Sequence, residues 1–420
     1  MMKINTYTKS NELFRRALKV VPAGIYGHLG PAEGCAIPTS AFPLFSSRAE
    51  GAYFWDVDGN RFIDYMCAYG PNILGYNDPD VDAAALEQMK KGNCVTLASE
   101  QLVNFAELMV DTVASADWAF FAKNGGDVTQ FATMIAKAKT NRKKMVLVNG
   151  FYHGVAPWCQ KIGASGIIKE DVINTFYIDW NNAEQFEQLV KDHPGEIACL
   201  VSTPYCHPAM GDSSLPAPGY WNKMRKICDE NGIVLIFDDV RCGFRLDIAG
   251  SDHFYGIKAD LICFCKAIAN GYNVSALCGT NAMKGAAEDV MYTGSYWLSS
   301  VPLAAGIACV KKMKANGTAE SINAKGRMLL KGLTDVAKSN GFDLHVTGEP
   351  SMWYMRLAND YPSTILHQEW VAECVKRGVF FTSHHNLFIN DALTEEDIKF
   401  TWDVADEAYK VVRSNHPEFK

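Results

Sequence analysis

The sequence lacks the marks of an exported or membrane protein. Its first residues, Met1-Met2-Lys3-Ile4-Asn5-Thr6, carry no signal-peptide core. No apolar run approaches the ~20 residues needed to span a bilayer. An excess of positive charge is also missing. The 40 Lys and Arg against 47 Asp and Glu give a net charge of −7, so nothing electrostatic recommends a nucleic-acid partner. Cysteine is present at 13 residues but never as Cys-x-x-Cys, and no ligand spacing recommends zinc. A disulfide framework is not expected in a chain this long without a secretion signal. There is no internal repeat, low-complexity tract or flexible linker. These absences lead us to expect a reduced, cytoplasmic globular protein with no membrane partner. Its 420 residues are enough for a large domain and a smaller one.

The pattern along the chain gives the organisation. Residues 9–21 have helical apolar spacing, ended by Pro22-Ala23-Gly24. Two aromatic-rich strands then flank Asp58-Gly59-Asn60, a hairpin signal. From about 80 to 315, strands and helices alternate. The strands are expected at 118–122, 145–149, 198–202, 233–237, 261–265 and 276–280, with helices such as 130–139 and 220–231 between them. This alternation predicts an α/β fold with a mainly parallel sheet covered on both faces. Beyond 315 a long helix (319–338), strand-like pieces (342–346 and 352–357) and a terminal helix (395–413) predict a separate α+β domain. The expected division is an N-terminal segment 1–79 that packs with the small domain, a large domain 80–315, and a small domain 316–420.

Two apolar runs end in a charge. Ile233-Val234-Leu235-Ile236-Phe237 leads to Asp238, and Leu261-Ile262-Cys263-Phe264-Cys265 leads to Lys266. Each reads as a buried parallel strand that delivers one charged side chain at its C-terminal end. Ligands of open α/β sheets bind beyond those ends. Alone, such an Asp also fits a helix N-cap and such a Lys a solvated surface charge. Together, an amine and a carboxylate suit pyridoxal phosphate (PLP), which needs a lysine for its Schiff base and an acid against its pyridinium nitrogen. Lys266 would also move the Cα proton, with its pKa lowered by burial. Asn124-Gly125-Gly126-Asp127 follows strand 118–122 and opens a helix. Such a junction can hold a phosphate, and equally can be a plain turn capped by Asp127. Phe151-Tyr152-His153-Gly154 follows strand 145–149 and offers an aromatic ring for stacking. Asp239 reads as a helix cap or as an orienter of its neighbour.

Taken together these residues resemble the class III (subgroup II) PLP-dependent aminotransferases of fold type I, in the style of the glutamate-1-semialdehyde aminomutase-like branch. Residues 51–65 resemble the family's Gly-x-x-x-x-Asp-x-Asp-Gly-x-x-x-x-Asp signature. Asn124-Gly125-Gly126-Asp127 stands where the family has Ser-Gly-Thr-Glu, and Tyr152-His153-Gly154 matches its Tyr-His-Gly. Phe237-Asp238-Asp239-Val240, with Gly243-Phe244-Arg245, resembles Phe-Asp-Glu-Val-x-x-Gly-Phe-Arg. Tyr255-Gly256 and Asp260-Leu261 lead to Lys266 as in the family's run to its Schiff-base lysine.

The resemblance implies a fold type I transferase, with a large parallel-sheet domain between helices and a smaller α+β domain from the chain termini. It implies Lys266 and Asp238 as catalytic residues. Asn124, Gly125, Gly126, Tyr152, His153, Asp238, Val240 and Lys266 become cofactor contacts. It also implies a homodimer with shared active sites, in which Ser295, or else Thr293, reaches the partner's phosphate. The implied activity is an aminotransferase acting on a small amino donor and a carbonyl acceptor. An aminomutase or amino-acid racemase/epimerase is the alternative, and a fold kept for regulation comes third.

Three departures shape the expected substrate. The phosphate-loop Ser and Thr are Asn124 and Gly126, which leaves the backbone N–H groups to do more. The family's Glu-Pro is Thr203-Pro204, against the usual 2-oxoglutarate/glutamate pairing. An arginine for the substrate carboxylate is Gly30. His28, Tyr69, Thr203, His207 and His385 are the candidate substrate contacts, with His384 beside them. An aromatic cluster of Tyr26, Tyr69, Tyr152, Tyr296 and Trp297 is expected around an uncharged or hydroxyl-bearing substrate.

Overall fold

The computed structural model describes residues 2–25 and 40–418. The expectations for Tyr26, His28 and Gly30 therefore lie outside the described residues. In chain order the strands are β1 (Ser46–Glu50), β2 (Tyr53–Asp56), β3 (Arg61–Asp64), β4 (Trp118–Ala122), β5 (Lys144–Val148), β6 (Thr175–Ile178), β7 (Ile197–Ser202), β8 (Val234–Asp238), β9 (Leu261–Phe264), β10 (Ser275–Gly279), β11 (Leu344–Glu349), β12 (Met352–Leu357), β13 (Val379–Phe380) and β14 (Leu387–Phe388). The chain divides into two compact units. One holds 1–78, 209–213 and 320–420, and the other 79–208 and 214–319.

The second unit is built on a seven-stranded sheet of order β4-β10-β9-β8-β7-β5-β6. Strands β7, β8 and β9 are buried along their whole length. Continuous apolar runs such as Cys199-Leu200-Val201 are what a strand covered on both faces requires. The pairings among β5 to β9 are parallel. β10 runs antiparallel to both β4 and β9, so β4 points the same way as β9. The C-terminal ends of six strands thus share one edge. The helix Gly125–Thr140 lays Val128, Phe131, Ala132 and Ile135 on Leu147, Val201, Ile236, Cys263 and Leu277. That packing fixes the helix's N-terminus at the same edge.

The first unit contains two small sheets, β1-β2-β3-β13 and β11-β12-β14. The helix Thr8–Ala17 opens it, capped from a distance. The Asp58 carboxylate accepts the N–H groups of Lys9 and Ser10 at 2.8 and 2.9 Å. This helix stops four residues short of the expected end. Leu18 and Val20 are exposed, and the chain reverses through Ala23 (φ +59°) and Gly24 (φ +77°). Residues 209–213 belong to this unit because Asp212 forms a forked pair with Arg356, at 2.8 to 3.2 Å, and Ser213 N–H donates to Thr347.

Candidate active site

Asp238 is the last residue of β8 and only 4% exposed. His153 Nδ1 donates to one carboxylate oxygen at 2.7 Å, and the Val240 N–H donates to the other at 3.2 Å. The carboxylate is therefore held in one orientation at the sheet edge. His153 is itself locked from behind, since the Thr129 hydroxyl donates to its carbonyl at 2.7 Å. Its Nε2 is buried and has no hydrogen-bond partner among the described residues. The neighbouring Asp239 points elsewhere. It accepts from the Ser251 hydroxyl and N–H at 2.5 and 2.9 Å, and burial pushes its carboxyl up to about 7. Asp239 thus anchors the short helix Ser251–Phe254.

Lys266 follows β9 at φ +43°, a left-handed backbone that a side chain with a Cβ rarely adopts. Such strain persists only where surrounding structure enforces it, and it concentrates at functional sites. Burial, and next the charge of the Arg241 guanidinium, pull the Lys266 ammonium down to about 8. About a tenth of the lysine is then free amine at pH 7, and about half at pH 8.

The turn Asn124–Asp127 lies against both residues' neighbours. A Cβ on Gly125 would sit 2.9 Å from Val240, and a Cβ on Gly154 would sit 2.8 Å from the Gly126 Cα. The Cys265 thiol donates to the Lys123 carbonyl at 3.9 Å. Asp127 caps the helix, accepting the N–H groups of Lys123 and Asn124 at 3.1 and 2.8 Å. Capping by Asp127 and an anion site are compatible here, because the carboxylate serves the strand side while Gly125 and Gly126 open the first helical turn. The structure thus brings Asn124, Gly125, Gly126, His153, Asp238, Val240 and Lys266 to one edge. An oriented acid, an amine of lowered pKa and a glycine-lined helix N-terminus are what PLP needs, so these residues fit it. Tyr152, in the same loop as His153, is 61% exposed.

The remaining candidates are divided between the two units. Thr203 is buried and spends its proton on the Tyr205 carbonyl at 2.8 Å. His207 Nδ1 accepts from Arg241 at 3.1 Å, which puts the ring proton on Nε2. Thr293 and Ser295 are exposed. His385 and Tyr69 both belong to the first unit, where their rings meet edge to face at 5.3 Å. Tyr69 is aimed by a run of four left-handed residues, Cys67 to Gly70. Of the expected aromatic cluster, Tyr26 lies outside the described residues, Tyr69 belongs to the first unit, and Tyr152, Tyr296 and Trp297 belong to the second. Trp297 packs on Phe120 and Tyr292, and Tyr296 is 68% exposed.

Sequence reasoning missed Arg241 and Lys123. Arg241 occupies a variable position of the Phe-Asp-Glu-Val-x-x-Gly-Phe-Arg pattern, so the motif hid it. Lys123 follows the apolar strand β4 much as Lys266 follows β9, and the same strand-end rule would have pointed to it.

The model of the class-III aminotransferase family matches residues 36–397. The aminopentol aminotransferase of Sphingopyxis macrogoltabida is 39% identical over 405 residues, covering 96% of this chain and 94% of that one. A glutamate-1-semialdehyde 2,1-aminomutase from Desulfotalea psychrophila is 32% identical over 354 residues, 80% of each chain. The solved structure of the FumI protein of Sphingopyxis sp. MTA144, in its PLP internal aldimine form, superposes with a TM-score of 0.91 at 38% identity, covering 98% of this chain and 100% of that one. The chain belongs to the class-III aminotransferases, fold type I enzymes that work with pyridoxal phosphate.

Proposed function

We propose that this aminotransferase takes its amino group from a hydroxylated amine and passes it to a separate carbonyl acceptor. The observation that carries the chemistry is Asp238, locked by His153 at 2.7 Å, at the same sheet edge as the strained, partly deprotonated Lys266. The donor class is supported by the 39% identity to an aminopentol aminotransferase and by Gly30 in place of a carboxylate-binding arginine.

Bound PLP supplies an aldehyde carbon and a pyridinium ring that withdraws electrons. Lys266 would hold the cofactor and then, as a free amine, carry the substrate Cα proton on its Nζ. Asp238 would face the ring nitrogen and keep its proton in place, with His153 preventing the carboxylate from turning away. Tyr152 would lie on the ring, and the N–H groups of Gly125 and Gly126 would meet the phosphate. The enzyme would work in the cytoplasm as a homodimer. Exposed apolar residues in the second unit, Leu97 (78%), Met291 (91%) and Tyr296 (68%), support a surface that a second copy covers.

A screen of primary amines with purified enzyme tests the reading. A hydroxylated amine should lose its nitrogen only when a carbonyl acceptor is supplied. The 32% identity to an aminomutase favours a second reading, an intramolecular amino shift. Efficient conversion of glutamate-1-semialdehyde without any added acceptor would establish that reading and overturn transfer.

A further inference from the structure

Lys123 is the first residue beyond β4 and the last before the Asn124–Asp127 turn. Its Nζ is buried from solvent, and no acceptor among the described residues lies within hydrogen-bond distance. An ammonium taken out of water without an acceptor costs several kcal/mol. It either loses its proton or awaits an anion. Burial, the largest influence, lowers its pKa, and the charges of Cys94 when ionised and of the Asp127 carboxylate act against that lowering. Asp127 forms no hydrogen bond with it; that carboxylate accepts the backbone N–H groups of Lys123 and Asn124 on one oxygen.

The backbone of Lys123 sits at the turn and beside the residue that precedes Lys266. Its carbonyl touches the Cys265 thiol, directly before Lys266, and its N–H is part of the cap of the helix Gly125–Thr140. The turn beyond it has two glycines and no hydroxyl side chain, so its own side chains provide little for a phosphate. A lysine binds phosphate as a point charge without needing a planar fork.

We propose that Lys123 is an anchoring cation for the phosphate of the cofactor, supplying the charge that the hydroxyl-poor turn lacks. This rests on the assignment of the sheet edge to PLP. The test compares apoenzyme of the full chain with Lys123→Met and Lys123→Arg, titrated with PLP, with unphosphorylated pyridoxal and with inorganic phosphate as competitor. Lys123→Met should weaken PLP at least about tenfold, leave pyridoxal unchanged and weaken phosphate competition to match. Lys123→Arg should keep most of the PLP affinity. Equal loss for PLP and pyridoxal, or no loss for either, overturns the proposal. So does unchanged PLP affinity with a weakened dimer, which would assign the amine to a subunit contact. If Lys123→Met does not fold, Lys123→Gln takes its place. Unmutated enzyme in which borohydride traps no PLP at Lys266 would overturn the site assignment itself, independently of Lys123.

Discussion

At the residue scale, the proposed site rests on the side chain that ends β8 and the one that follows β9. Each alone also fits a cap or a solvated surface charge; what singled them out in the sequence was the pair, an acid and an amine closing two apolar runs. Their supports were less legible. That Thr129 holds His153, and that Arg241 bears on Lys266, follows from tertiary proximity that no spacing encodes. The pKa of about 8 has a direct consequence. Only free amine attacks an aldehyde, so PLP attachment to apoenzyme should accelerate with pH and level off above about 8. Borohydride trapping at timed intervals measures this, and a midpoint near the ordinary 10.5 would refute the lowered value. Asp238→Asn keeps the shape and the His153 contact but loses the negative charge. Proton removal from substrate Cα should slow by about two orders of magnitude or more, in the range of a general acid–base contribution, while the thermal midpoint changes little. Single-turnover kinetics with a deuterated amine would show it. Near-normal rates would mean the carboxylate has another task.

At the element scale, the strand runs were legible but direction and edges were not. An apolar run reads the same both ways, so β10 revealed its antiparallel course only through its pairing with β4 and β9. Strand β6 escaped the sequence reading because it is four residues long at the sheet's edge, with two of them only half-buried. The close approach of two loops was equally hidden. Gly154 at φ +119° lets the loop after β5 touch the turn after β4, with room for no Cβ. Gly154→Ala places an atom 2.8 Å from the Gly126 Cα on a backbone that alanine disfavours. The two loops must separate, and Thr129 loses its grip on His153. We expect a destabilisation of about 1–3 kcal/mol by denaturant titration and PLP affinity reduced severalfold. Gly150→Ala, where a Cβ meets nothing within 4 Å although φ is also positive (+81°), separates backbone strain from collision. Equal effects at the two positions would remove the collision argument.

At the scale of the whole molecule, the chain order does not follow the compact units. Residues 209–213 leave the second unit and return to it, held in the first by the Asp212–Arg356 fork. A contiguous division at 79 and 315 could not contain this excursion, because a salt bridge across 144 residues leaves no local trace. Assembly is also absent from sequence periodicity. Met291 and Tyr296 flank Ser295, and all three are exposed, with the Ser295 carbonyl accepting from the Cys94 thiol. Isolated apolar residues on a surface are ordinary, and we propose that here they belong to a segment that meets a partner. If that partner is a second copy, each Ser295 serves the other subunit's site, and a symmetric pair exchanges the same segment in both directions. Lys266→Ala and Ser295→Asp are then each defective, for different reasons. A mixed dimer contains one site with both defects and one with neither. Refolding an equal mixture should therefore restore about a quarter of the unmutated activity, since half the dimers are mixed and each carries one intact site of two. Light scattering should give twice the chain mass. Activity in the mixture no greater than the sum of the separate variants would show that each site is built from a single chain.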